Sequence, residues 1–171
     1  MVEIITEYPQ FFTATNLKWQ KLLRPDKYKD IITGSLEFLV SDQRIHLYAF
    51  VIMINHIHLI WQMRAGKSQQ DVRRDFMKFT AQRIKADLQV NHPKVLDYFK
   101  VNAADREFQF WKRNPLSIEL NSEKIFREKL EYLHLNPVRA GLCTLPEQYK
   151  YSSAYFYETG IDNWGFLTHY R

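Results

Sequence analysis

Two apolar runs, Arg44 to Ile54 and His56 to Met63, meet at Asn55 and read as two long strands joined by a hairpin. Side chains alternate along a strand, so His56 and His58 face one way while Ile57 and Leu59 face the other. Gln10 to Leu17, rich in Phe and Thr, reads as a first strand. Pro25-Asp26 opens a helix to about Val40, with Tyr28, Ile31, Ile32, Leu36 and Leu39 near helical spacing. Ala65 to Ser68 is a loop that ends in a capping serine. It leads into a helix over about Gln69 to Leu88, with Val72, Phe76, Phe79 or Thr80, Ile84 and Leu88 in one stripe. Asn91-His92-Pro93 ends that helix, and Lys94 to Asp105 carries no clear period. Glu107 to Trp111 reads as a fourth strand. Ser122 caps a last helix that buries Ile125, Phe126, Leu130 and Leu133, and Pro137 and Gly141 mark its end or a kink.

Strand, helix, strand, strand, helix, strand is the order of a ferredoxin-like split βαβ sandwich, an α+β fold with an antiparallel sheet and helices on one face. The extra helix at 122–135 then lies at the sheet edge or across its open face, where His56 and His58 can point. Residues 1–171 read as one domain with an irregular aromatic tail from about 146, without repeats or linkers.

Composition narrows the class. Hydrophobic residues make up 46% of 171, enough for a packed core. No apolar run approaches the roughly 20 residues of a membrane span, and the N-terminus lacks the pattern of a signal peptide. A single cysteine, Cys143, excludes an internal disulfide, so a reducing, cytoplasmic setting is expected. The 24 Lys and Arg exceed the 19 Asp and Glu, a net +5 that favours a polyanionic partner. Arg73, Arg74, Lys78, Arg83 and Lys85 crowd one segment, and Lys112 and Arg113 follow Trp111. Such a pattern is either a solvated helix face or a track for a nucleic-acid backbone, with Phe110 or Trp111 stacking on bases.

Two imidazoles on one strand face make half of a metal site. Tyr132 and Asn136, four residues apart, share a face of the last helix. Asn136 either caps that helix or supplies an amide oxygen. Tyr132, one of ten tyrosines, either packs or acts as a nucleophile. Two imidazoles and one oxygen suit Mg²⁺ or Mn²⁺ with positions left for a phosphate and water, though the set also accepts other divalent ions, and the lack of a cysteine cluster argues against a closed structural zinc site. His134 faces away from Tyr132 and reads as structural or DNA-contacting.

His56-Ile57-His58 resembles the His-hydrophobic-His motif of HUH single-strand endonucleases. Asn55 to Ile60 and Tyr132 to Leu142 resemble the single-tyrosine transposases of simple insertion sequences, and most closely their REP-associated branch. Phe76 to Thr80, Gln109 to Arg113 and Tyr149 to Ser153 fit the same branch, so the resemblance spans roughly residues 10 to 157. The chain departs from the family pattern at Ile54, where Pro is usual, and in a tail with Tyr149 and Tyr151 where Trp is common. The resemblance implies a transposase-like, metal-dependent endonuclease and strand transferase acting on single-stranded and hairpin DNA. His56, His58 and Asn136 would hold the divalent ion, and Tyr132 would form a 5′-phosphotyrosine. Arg73, Arg74, Lys78, Arg83, Trp111, Lys112, Arg113 and Arg139 would contact DNA. The family includes monomers and homodimers.

Two other functions compete with this one. The first is a catalytically inactive hairpin-binding regulator. The second is a metal-dependent hydrolase using activated water, which lacks an obvious carboxylate base near the histidines.

Overall fold

The computed structural model describes residues 8–170. A four-stranded antiparallel sheet is ordered β2-β3-β1-β6, built from β1 (Gln10–Thr15), β2 (Ile45–Ile52), β3 (His56–Met63) and β6 (Leu116–Glu119). Helices α1 (Asp26–Ser41) and α2 (Gln69–Asn91) pack together on one face, and α4 (Glu123–Arg139) covers part of the other. A short helix, α3 (Pro93–Asp97), and a separate ribbon of β4 (Lys100–Ala103) and β5 (Arg106–Phe108) lie between α2 and β6. The chain is thus α+β.

The pleat divides the sheet into two apolar layers. Phe12, Ala14, Ile57, Leu59 and Trp61 face α1 and α2, where Leu36, Phe76, Ile84 and Leu88 meet them. Phe11, Val51 and Ile60 face α4, where Phe126 and Leu133 close a smaller core. The β1–β3 register sets Thr13 opposite His58 and Thr15 opposite His56, so all four side chains share the α4 face.

Helices α2 and α4 begin where the sequence indicates. The Ser68 hydroxyl accepts from the Asp71 N–H, and the Ser122 hydroxyl accepts from the Ile125 N–H. Pro137 does not end α4, which runs on to Arg139, and Gly141 at φ +75° then terminates the helix. Asn136 therefore lies inside the helix rather than capping it, and its side chain reaches His56 on the sheet face.

Three expectations need correction. The first strand stops at Thr15 rather than Leu17, because the chain enters a tight turn at Leu17–Trp19. Glu107 to Trp111 is not the fourth strand of the sheet. Only Arg106–Phe108 is extended, in the outer ribbon, and β6 at Leu116–Glu119 takes the edge position beside β1. Phe110 and Trp111 are apolar because they plug the helix-side core. The tail is less irregular than expected. It adds a bridge from Ser152 to Val51 and a helix, α5 (Ala154–Thr159). Among the described residues, no helix is long and apolar enough to cross a membrane.

Candidate active site

His56 and His58 leave β3 on the face that α4 only partly covers, with ring centroids 4.9 Å apart. Each ring is fixed through Nδ1. His56 Nδ1 lies 2.7 Å from Asn55 Oδ1, and His58 Nδ1 lies 2.7 Å from Thr13 Oγ1. Asn55 Oδ1 can only accept, so the neutral His56 ring carries its proton on Nδ1 and presents Nε2 as its lone-pair nitrogen. The same tautomer at His58 makes Thr13 the acceptor there. Phe11 stacks on the other face of the His58 ring at 5.1 Å.

Burial holds both imidazoles neutral. It lowers the His58 pKa to about 3, and the repulsion that a protonated His58 would meet from a protonated His56, from Arg139 and from Lys129 adds to the effect. Burial also lowers His56, partly offset by a hydrogen bond with the Asn136 side chain. Neutral imidazole is the form that binds a metal, so the environment prepares both rings as ligands.

α4 brings the second half. Lys129, Tyr132, Asn136 and Arg139 recur at steps of three, four and three, hence on one helix face. All four line a cavity of about 460 Å³ together with His56, His58, Thr13 and Trp19. The Tyr132 ring stands 5.6 Å from the His58 ring and is about half exposed. Lys129 Nζ lies 5.5 Å from the Tyr132 ring and Arg139 Cζ 4.6 Å from it. None of the described residues lining this cavity is a carboxylate. No group of three or more His, Cys, Asp or Glu suited to a metal occurs among the described residues. A third ligand here would come from the Asn136 amide.

The turn after β1 completes the rim. Lys18 and Trp19 both lie in the left-handed region, at φ 52° and 58°, and neither is glycine. Two such residues in succession cost roughly 1–3 kcal/mol each, and such strain concentrates at functional sites.

No family model matches the chain. It is 24% identical over 158 residues to a Haemophilus influenzae protein named "Putative REP-associated tyrosine transposase", covering 87% of this chain and 85% of that protein. A solved structure of a REP-associated tyrosine transposase bound to a REP hairpin matches with a TM-score of 0.66 at 16% identity, over 99% of this chain and 92% of that one. The chain is thus similar in sequence to a REP-associated tyrosine transposase over most of its length and shares the fold of that solved structure.

The remaining residues expected to contact DNA divide. Arg74, Lys78, Lys112 and Arg113 line a second cavity of about 570 Å³ between α2 and the outer ribbon, joined by Lys85 and Arg106. Arg74 is paired with Asp71 and Asp75, and Arg113 with Asp105. Arg73 and Arg83 are not among the residues lining it. The Arg73 guanidinium lies 5.6 Å from the Phe12 ring and that of Arg83 5.8 Å from the Phe79 ring. Trp111 is buried and donates its indole N–H to Thr80 Oγ1 at 3.1 Å, so base stacking by this ring is corrected to a core role. Phe110 is buried likewise. Arg139 belongs beside Tyr132 rather than to the distant groove. His134 is structural: its Nε2 lies 2.8 Å from Ser153 Oγ in the α4-side core.

Sequence reasoning missed Thr13, Lys129 and Trp19. The three-four-three spacing would have exposed Lys129. Thr13 depends on strand register and Trp19 on a strained turn, which no local pattern signals.

Proposed function

We propose that this protein is an HUH-type tyrosine DNA endonuclease and strand transferase acting on single-stranded DNA beside hairpins. The observation that carries the reading is the convergence of His56, His58, Tyr132 and Asn136, from one chain, on one cavity. The strand order β2-β3-β1-β6, with two helices on one face, supports a ferredoxin-like sandwich as the scaffold.

His56 and His58 through Nε2, with the Asn136 amide oxygen, form a mixed N/O donor set suited to Mg²⁺ or Mn²⁺. A divalent ion held there would supply Lewis-acid stabilisation of charge on the scissile phosphate. The chain's own residues do the rest. Lys129 and Arg139 attract the phosphodiester into a cavity without carboxylates. The Tyr132 hydroxyl oxygen attacks phosphorus and gives up its proton. The P–O3′ bond breaks, and the departing oxygen takes a proton to become a free 3′-hydroxyl. The phosphate stays on Tyr132 as a 5′-phosphotyrosine. Attack by a 3′-hydroxyl reverses the step and joins strands, so no external energy source is needed. Because one chain carries both halves within reach of each other, the site is proposed to work in cis, with no second copy required.

The reading is tested by incubating hairpin oligonucleotides, drawn from DNA flanking the gene, with the protein and Mn²⁺. Nicking should require the ion, stop with EDTA, and fall at least roughly 100-fold in His58→Ala. Tight hairpin binding without nicking under any divalent ion would instead favour a regulator.

A further inference from the structure

Resting on that reading of the cavity, we infer that Trp19 is a platform on which an unpaired nucleobase next to the cut site stacks. Trp61 and Trp111 are buried and Trp164 is half-buried, whereas Trp19 is 59% exposed. An exposed indole that lines a cavity offers a flat apolar face to whatever occupies that cavity. Its ring centroid lies 6.4 Å from that of His56, edge to face, and it lines the same cavity as Lys129 and Arg139. That separation is on the scale of one nucleotide step. The cations favour a phosphate beside the indole over any neutral apolar occupant.

The backbone holds the ring in this pose. Asn16 N–H donates to the Asn55 carbonyl, Leu17 N–H to the Phe110 carbonyl, and Trp19 N–H to the Asn16 carbonyl. These bonds hold the two left-handed residues that turn the indole out of the core. Asn55 also orients His56 through its side chain. One residue therefore fixes both the platform and a ligand, so a base stacked on Trp19 sets the position of the phosphate at His56. Stacking is tolerant of sequence because every base has a π face. The platform therefore takes an unpaired base whatever its identity.

The test measures affinity of the full chain in EDTA, so that strands stay intact, for a flank-derived hairpin with or without a short single-stranded arm. Trp19→Ala should weaken binding of the armed hairpin by a factor of roughly 10 and leave the blunt hairpin unchanged. An abasic nucleotide in the arm should weaken the parent protein equally at one position and cost the Trp19→Ala variant nothing further there. Trp19→Phe should restore most of the loss, which separates stacking from misfolding. Equal affinity of Trp19→Ala for the armed hairpin overturns the inference, as does a loss that persists in full on abasic DNA. A change from dimer to monomer in light scattering with DNA affinity unchanged would assign Trp19 to a contact between copies and overturn it as well. Absence of covalent adducts in the wild type would count against Tyr132 alone, since this assay involves no cleavage.

Discussion

Thr13 Oγ1 sits 2.7 Å from His58 Nδ1, and the two residues face each other across the β1–β3 ladder. The hydroxyl anchors the ring at Nδ1 and leaves Nε2 for the cavity; when Nε2 serves as a ligand, Nδ1 carries the proton and Thr13 accepts it. Outer-shell bonds of this kind are worth about 10–100-fold in metal affinity. Thr13→Val, close in size, should therefore weaken Mn²⁺ binding by about that factor in calorimetry, and Thr13→Ser should recover it. Unchanged affinity in Thr13→Val would remove Thr13 from the site.

Acid should destabilise the fold from an unusually high pH. His58, pushed down to about 3, and His134, pushed down to about 4, stay neutral when folded, while both titrate near about 6.5 when unfolded. Burial is the principal cause at each. Below about 6.5 the unfolded chain binds protons that the folded chain refuses. Stability present above that pH is therefore lost as pH falls towards 4 and then 3. Asp87, held down to about 2 by hydrogen bonds from Lys27 and then Tyr28, adds a later loss as pH drops from about 4. Thermal melts should be level above about pH 7 and decline steadily below about 6.5. A level melting temperature down to about pH 5 would contradict the assignment of neutral buried imidazoles.

Ser153 ties α4 to the sheet. Its hydroxyl accepts from the Phe50 N–H at 3.0 Å and lies 2.8 Å from His134 Nε2. Ser153→Ala leaves both groups buried without that partner, a cost of roughly 1–3 kcal/mol. Urea denaturation should report a lower midpoint of that size. A midpoint within error of the parent would mean that the groups find other partners.

The parts of the site that follow a local period are legible in the sequence. His56 and His58 share a strand face because the strand period is two. Tyr132 and Asn136 share a helix face because four residues nearly complete a turn. The Ser68 and Ser122 caps follow from the same local chemistry. What depends on long-range pairing is not legible. Glu107 to Trp111 has a strand's composition, yet Phe110 and Trp111 are apolar to fill the core under α2, while the plainer Leu116–Glu119 takes the sheet edge. Trp111 next to two cations imitates a stacking residue, and only its bond to Thr80 separates the two roles. Thr13 enters the site through register, and Trp19 through two left-handed residues that no composition announces.

The central claim is that the Tyr132 oxygen becomes bonded to DNA. A hairpin substrate labelled at its 3′ end, treated with protein and Mn²⁺ and run on a denaturing gel, should give a slow band that persists through boiling in detergent. The same substrate labelled at the 5′ end should release a free fragment, and Tyr132→Phe should give neither product. A slow band that survives in Tyr132→Phe, or cleavage by the wild type without any covalent band, would contradict the account.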